Sequence, residues 1–151
     1  MKKQGIYITM FNPKDFNSYR GCLVDIDGTL YDYENAHLVA LEAVYQTLFA
    51  SVHKIDWSDF KSDYRKERSS ITEKFSGNGS SRSRFLAFQS MFEKLKIKYA
   101  YSIAFDAEEL YWECLIKSMQ PISTVVELIK SISNQGLLIC ALTDMQARIQ
   151  V

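Results

Sequence analysis

The stretch Leu23-Val24-Asp25-Ile26-Asp27-Gly28-Thr29-Leu30 constrains this chain more than any other. A short apolar run stops at two acids separated by one residue, and Gly and Thr follow. Apolar residues ahead of Asp25 suit a buried strand, with Asp25 where that strand emerges. In open α/β sheets ligands bind at that carboxyl edge. Strand alternation would point Asp25 and Asp27 the same way. Gly28 permits a sharp turn, and Thr29 adds a hydroxyl beside the carboxylates. Two carboxylates forced together repel unless a cation or a shared proton lies between them. The pattern therefore describes a site for a hard divalent metal, for acid–base chemistry, or for both. The plain alternative is an acidic turn without chemistry. An EF-hand loop fails on spacing: begun at Asp25, it requires Gly at Leu30 and Glu at Ala36.

Upstream, Gly5-Ile6-Tyr7-Ile8-Thr9-Met10-Phe11 reads as an edge strand or a loose arm, ended by Asn12-Pro13. From Asp32 the periodicity turns helical. Leu38, Leu41, Val44, Tyr45, Leu48 and Val52 form the stripe of an amphipathic helix. Phe60, Tyr64, Ile71 and Phe75 mark a second, and Ser76-Gly77-Asn78-Gly79-Ser80-Ser81 breaks it. Phe85, Phe88, Phe92 and Leu95 mark a third. A fourth is expected after Asp106, with Glu109 as its capping-box partner and Leu110, Tyr111, Cys114 and Leu115 inward. Residues from about Asp32 to Ser118 thus read as a helical bundle. Beyond Gln120-Pro121, Thr124 and Glu127 form a capping box for a fifth helix, with Val125, Leu128, Ile129 and Ile132 inward and Gly136 as its stop. Leu137 to Leu142 reads as a buried strand ending at Thr143-Asp144. The expectation is an α/β fold in which two neighbouring parallel strands flank an inserted bundle.

The run from Leu23 to Leu30 resembles the first motif of the haloacid dehalogenase (HAD) superfamily, an apolar strand followed by Asp-x-Asp-Gly-Thr. Thr143, at the end of the second strand, resembles that superfamily's second motif, although Asp144 stands where many members have Asn. Taken alone, Thr143 also reads as a helix N-cap. The helical insert between the motifs is similar to the cap of the capped phosphatases, and Thr143 to Gln150 resembles their entry into the next helix. The resemblance covers nearly all of the chain from Arg20 to Val151. It implies a Rossmann-like parallel-sheet core, present in part, from residues 1–31 and 119–151, with a helical cap from 32–118.

It also implies a mechanism. Asp25 would attack phosphorus to form an aspartyl-phosphate, and Asp27 would protonate the leaving alkoxide and then activate water. Mg2+ would bind at Asp25 and Asp27, through the carboxylate of the first and the backbone carbonyl of the second. Gly28, Thr29, Thr143 and Asp144 would surround the substrate phosphate. Family dehalogenases generally lack Asp at the position of Asp27, and its transport ATPases usually carry Thr there. The implied activity is a Mg2+-dependent phosphatase acting on a small phosphorylated metabolite. A phosphomutase is the enzymatic rival, and a catalytically inactive binding or assembly module is the reading from another class. The superfamily's third and fourth motifs, a Lys and one or two metal-binding acids, normally come well after the second, and only seven residues follow Asp144. The chain is therefore expected to be truncated after the second motif and catalytically silent on its own. An open sheet edge would leave it liable to self-association.

Composition narrows the partners. Lys plus Arg equal Asp plus Glu at 18 each, so no global field points to nucleic acid. No apolar run approaches the ~20 residues of a membrane span, and polar residues interrupt any signal-peptide core after Met1-Lys2-Lys3. Cys22, Cys114 and Cys140 are scattered and odd in number, which fits a reducing, cytoplasmic setting. His37 and His53 sit alone, without zinc spacing. Lys61, Arg65, Lys66, Arg68, Lys74, Arg82 and Arg84 are expected on a solvated helix face; the alternative gives one or two of them an anionic substrate beneath the cap. The aromatics stand at core spacing.

Overall fold

The computed structural model describes residues 19–50 and 55–143. The expected strand at Gly5–Phe11, Val52, His53, Asp144 and the helix entry that follows it lie outside those residues. The described part is helix-rich, with a small sheet. Strands β1 (Gly21–Asp25) and β2 (Leu138–Leu142) pair in parallel, from Gly21 opposite Leu138 to Asp25 opposite Leu142. Five helices and a short 3-10 turn lie between them in sequence. The α/β expectation and the parallel pairing of these two strands hold.

Helix α1 (Tyr33–Leu48) starts where Asp32 accepts the Asn35 N–H at 3.1 Å, an N-cap that satisfies one orphan donor of the first turn. It buries Ala36, Ala40, Leu41 and Val44, whereas Leu38 is 40% exposed. The inward stripe is thus rotated from the expected one. Its most extensive packing is on α4 (Ala100–Ser118), which buries Ala104 and Ala107. Small residues let two helices approach closely, and a sequence stripe of large residues does not register that contact.

Helix α2 (Trp57–Lys74), capped by Asp56, buries Phe60, Tyr64 and Ile71 as expected. It also buries Glu67, whose carboxylate accepts from Ser90 Oγ and Lys94 Nζ, both at 2.7 Å. Those partners belong to α3 (Arg84–Lys94), so a charged pair ties the two helices. The N-terminus of α3 is held from two sides: Ser83 Oγ accepts from Leu86 N at 3.2 Å and Glu108 Oε1 from Phe85 N at 3.1 Å. Phe88 and Phe92 enter the core, while Leu95 reaches the surface. Ring centroids in this core lie about 5 Å apart, as in the Tyr64–Phe88 and Phe49–Phe92 pairs at 4.8 Å.

Two helix starts differ from expectation. Helix α4 begins at Ala100, after Tyr99 in the left-handed conformation (φ 61°), so Asp106 lies inside the helix and caps nothing. Ile103, Ala104 and Ala107 continue the inward stripe upstream, and their packing outweighs the local capping signal. Helix α5 (Ser123–Asn134) takes Ile122 as its N-cap without a side-chain bond, and the Thr124–Glu127 capping box does not set its start. Its entry is fixed by the chain pairing with itself: Ile122 N donates to Leu30 O at 2.8 Å, and Tyr31 bridges Pro121. The way into the helical segment and the way out of it therefore lie side by side. Gly136, at φ 77°, ends α5 as expected.

The strands are the larger correction. Both read as buried, yet Leu23 is 71% exposed, Leu138 76% and Leu142 59%. On α5 only Ile132 is buried, and the expected inward residue Leu128 is 55% exposed. Two strands and one helix supply too little surface to cover both faces of a sheet. Among the described residues, no helix is long and apolar enough to cross a membrane.

Candidate active site

Asp25 is the last residue of β1, opposite Leu142. Thr143 leaves β2 one residue beyond that partner, so Asp25 and Thr143 share the carboxyl end of adjacent parallel strands. The chain then turns: Thr29 N and Leu30 N both donate to Ile26 O, at 3.2 and 2.9 Å. Gly28 sits at φ 76° within this turn. A Cβ there would meet no atom within 4 Å, so it is the backbone conformation, not crowding, that requires glycine.

The two carboxylates are held differently. Asp25 is exposed, and its Oδ2 accepts from the Thr29 hydroxyl at 3.0 Å, the one side-chain bond it makes among the described residues. Asp27 is half-buried, and its Oδ1 accepts from the Tyr31 hydroxyl at 2.5 Å. Burial, then the bond to Asp27, push the Tyr31 hydroxyl well above its ordinary titration range, so it stays protonated and donates. Asp25 is left open to a ligand while Asp27 is fixed in orientation. The sequence pattern that singled out Asp25, Asp27, Gly28 and Thr29 did not reveal Tyr31, whose spacing from Asp27 is an ordinary turn distance. Asp144 lies outside the described residues.

Asp27 also lines a cavity of about 590 Å³ between the turn and the helices. The walls carry Lys61, Arg65, Arg68, Arg82 and Arg84, against the acids Asp27 and Glu34. Arg68 and Arg84 are thus not on a solvated face: Arg84 is 8% exposed and Arg68 half-buried. Arg84 Nη2 donates to the Tyr33 hydroxyl at 2.5 Å, and its guanidinium lies 5.6 Å from the Tyr111 ring centroid and 5.9 Å from that of Trp112. His37 packs parallel to Tyr33 at 5.7 Å, and its Nδ1 is 2.8 Å from the Tyr111 hydroxyl. Burial, followed by the charges of Arg84, Arg68 and Arg65, lowers its pKa to about 4, so the ring is neutral near pH 7.

The residues at the β1 tip fit a magnesium ion in part. Mg2+ commonly takes one or two carboxylates and fills its shell with water and substrate oxygens. Asp25 is an exposed carboxylate of that kind, and the Asp27 carbonyl is a hard oxygen two residues on. Among the described residues no group of three or more His, Cys, Asp or Glu gathers to enclose a metal.

No protein-family model matches the sequence, and no curated protein does. In fold the chain is similar to YfnB from Bacillus subtilis, a candidate HAD-hydrolase whose crystal structure with bound magnesium reveals interdomain movement. The TM-score is 0.61 at 22% identity, over 87% of this chain and 56% of that one. This chain thus spans a little over half the length of that protein, and at this identity the likeness is one of fold.

Proposed function

We propose that the chain carries the nucleophile, the acid–base group and a phosphate contact of a Mg2+-dependent phosphatase that works through an aspartyl-phosphate. The observation that carries this reading is the exposed Asp25 carboxylate at the carboxyl end of β1, one hydroxyl bound to it, with Thr143 at the same end of the neighbouring strand. An oxygen of Asp25 attacks phosphorus, and the bond from phosphorus to the ester oxygen breaks. Asp27, held by Tyr31, gives its proton to that leaving oxygen. Asp27 then takes a proton from the water that attacks the phosphoryl group, releasing phosphate and restoring Asp25. Thr143 and the N–H of Gly28 orient the phosphoryl oxygens, while the Thr29 hydroxyl holds the Asp25 carboxylate. Bound at Asp25 and the Asp27 carbonyl, magnesium would neutralise charge on the transferring group.

Residues 32–118 serve in this reading as a cap over Asp25. The antiparallel bridge of Tyr31 with Pro121 supports it, because two crossings that lie together can act as one hinge. The test is phosphate release from phenyl phosphate with magnesium, by the protein as the cell makes it. Turnover that Asp25→Asn abolishes is expected. Turnover that survives Asp25→Asn would remove the covalent mechanism, and none at all with a range of phosphate esters would remove the phosphatase.

A further inference from the structure

Among the described residues, three buried side-chain polar atoms lack a hydrogen-bond partner: Tyr64 OH, Arg84 Nε and Trp112 Nε1. All three can donate, and all three residues line the cavity that Asp27 also lines. Burial raises the titration range of the Tyr64 hydroxyl, which keeps its proton. Orphaned buried donors are costly and rare, and three around one cavity require an explanation. A donor set calls for an acceptor.

The charges point the same way. Arg68 Nη1 donates to Thr72 Oγ1 at 2.8 Å and Ser81 O at 2.5 Å, both neutral oxygens. Two acids of α2 are engaged elsewhere, Asp63 with Lys66 and Glu67 with Lys94. Burial, then the charge of Arg84, disfavour the charged form of Arg68. Neither Arg68 nor Arg84 forms an ion pair with a carboxylate among the described residues. His37 is neutral beside them and offsets nothing. Two like charges withdrawn from water beside unfilled donors are stabilised by an oxyanion, which guanidinium forks bind with directional bonds.

We propose that this cavity receives a second anionic group of the substrate, a carboxylate or a phosphate borne on the part that leaves with the alcohol. The inference rests on the phosphatase reading and sharpens its substrate class to phosphate esters that carry a further oxyanion. Arg84 and Arg68 bind that group, and Asp27 meets the ester oxygen at the cavity's end. The volume of about 590 Å³ suits a small organic anion.

Three esters test this: phenyl phosphate, 3-carboxyphenyl phosphate and 1,3-phenylene bisphosphate, compared by kcat/KM in the protein as the cell makes it. The first lacks a second anion, and the other two distinguish carboxylate from phosphate. At least one charged ester is expected to be preferred over phenyl phosphate about tenfold or more, with the preference falling close to unity in Arg68→Gln and Arg84→Lys. A ratio taken within each variant is insensitive to partial misfolding. Should Arg84→Lys fail to fold, the half-buried Arg68→Gln carries the test. No preference in the parent protein, or one that both variants retain, overturns the inference. If no ester is hydrolysed, the phosphatase reading fails, and inorganic phosphate titrated calorimetrically without magnesium into the same protein decides the receptor separately. Binding weakened about tenfold in the variants supports it; absent or unaltered binding removes it.

Discussion

The helical segment and the strand pair are built on opposite terms. The bundle closes its own core: Phe49, Phe60, Phe88, Phe92 and Tyr111 have no exposed surface. The strand pair leaves Leu23, Leu138 and Leu142 largely in solvent, yet it carries Asp25 and Thr143. Rigidity and the candidate site thus sit in different places. The helices supply a scaffold and a charged cavity, and the strands supply a carboxylate whose support comes from a turn and a parallel partner. Loss of a bundle side chain should therefore appear as lost stability, and loss of a strand-tip side chain as lost turnover.

The largest effect expected is at the tip. Asp25→Asn should lower turnover by roughly a thousandfold or more while urea unfolding stays within about 0.5 kcal/mol of the parent. Phe88→Ala should do the reverse. It empties a site packed by Tyr64, Phe92 and Tyr111, and should cost about 3–5 kcal/mol in urea unfolding. An activity loss for Phe88→Ala with unchanged stability would break the division of labour.

Next is an acid-side dependence that belongs to the bundle. His37 titrates at about 4 when folded and at the ordinary 6.5 when unfolded. Between those values the unfolded chain binds a proton that the folded chain does not, so stability falls as pH drops through that window and the contribution levels off below it. The loss is on the order of 2 kcal/mol once the ring's partial exposure is allowed for. Urea titrations at stepped pH should show this slope, and His37→Gln should flatten it. Smaller again is Tyr31→Phe, which removes the donor from Asp27. About a tenfold fall in kcat with KM little changed is expected, because Tyr31 acts by positioning Asp27; a change in KM alone would assign it to substrate binding. The smallest effect is Leu138→Ala, at 76% exposure, which should shift stability by less than about 0.5 kcal/mol. A loss like that of Phe88→Ala would mean that something covers the strand face in solution.

The geometry of the tip was legible in sequence because its signals are local. A strand, a turn residue at positive φ and two acids lie within eight positions, and local rules govern each of them. Helix existence was equally plain, since Phe60, Tyr64 and Ile71 recur with the helical period. Two starts were misplaced because packing of Ala104 and Ala107 and the Ile122–Leu30 bond act over distance. The arginine cavity was hidden for the same reason: Tyr33 and His37 come from α1, Tyr64 and Arg68 from α2, Arg84 from α3 and Trp112 from α4. One trace of it was present. Arg84 is a cation in the first turn of α3, against the helix dipole, and a local misfit of that kind marks a residue held by tertiary contacts. His37 was a second trace, placed one turn before Leu41 on the buried side.

The central claim is that Asp25 becomes covalently phosphorylated, and trapping tests it most directly. The protein as the cell makes it is quenched during steady hydrolysis of a phosphate ester with magnesium, treated with borohydride and digested for peptide mass spectrometry. An acyl phosphate at Asp25 is reduced there to homoserine, and that conversion, absent without ester, is the result expected. Conversion at Asp27 instead, or at neither carboxylate while the ester is being consumed, would contradict the account.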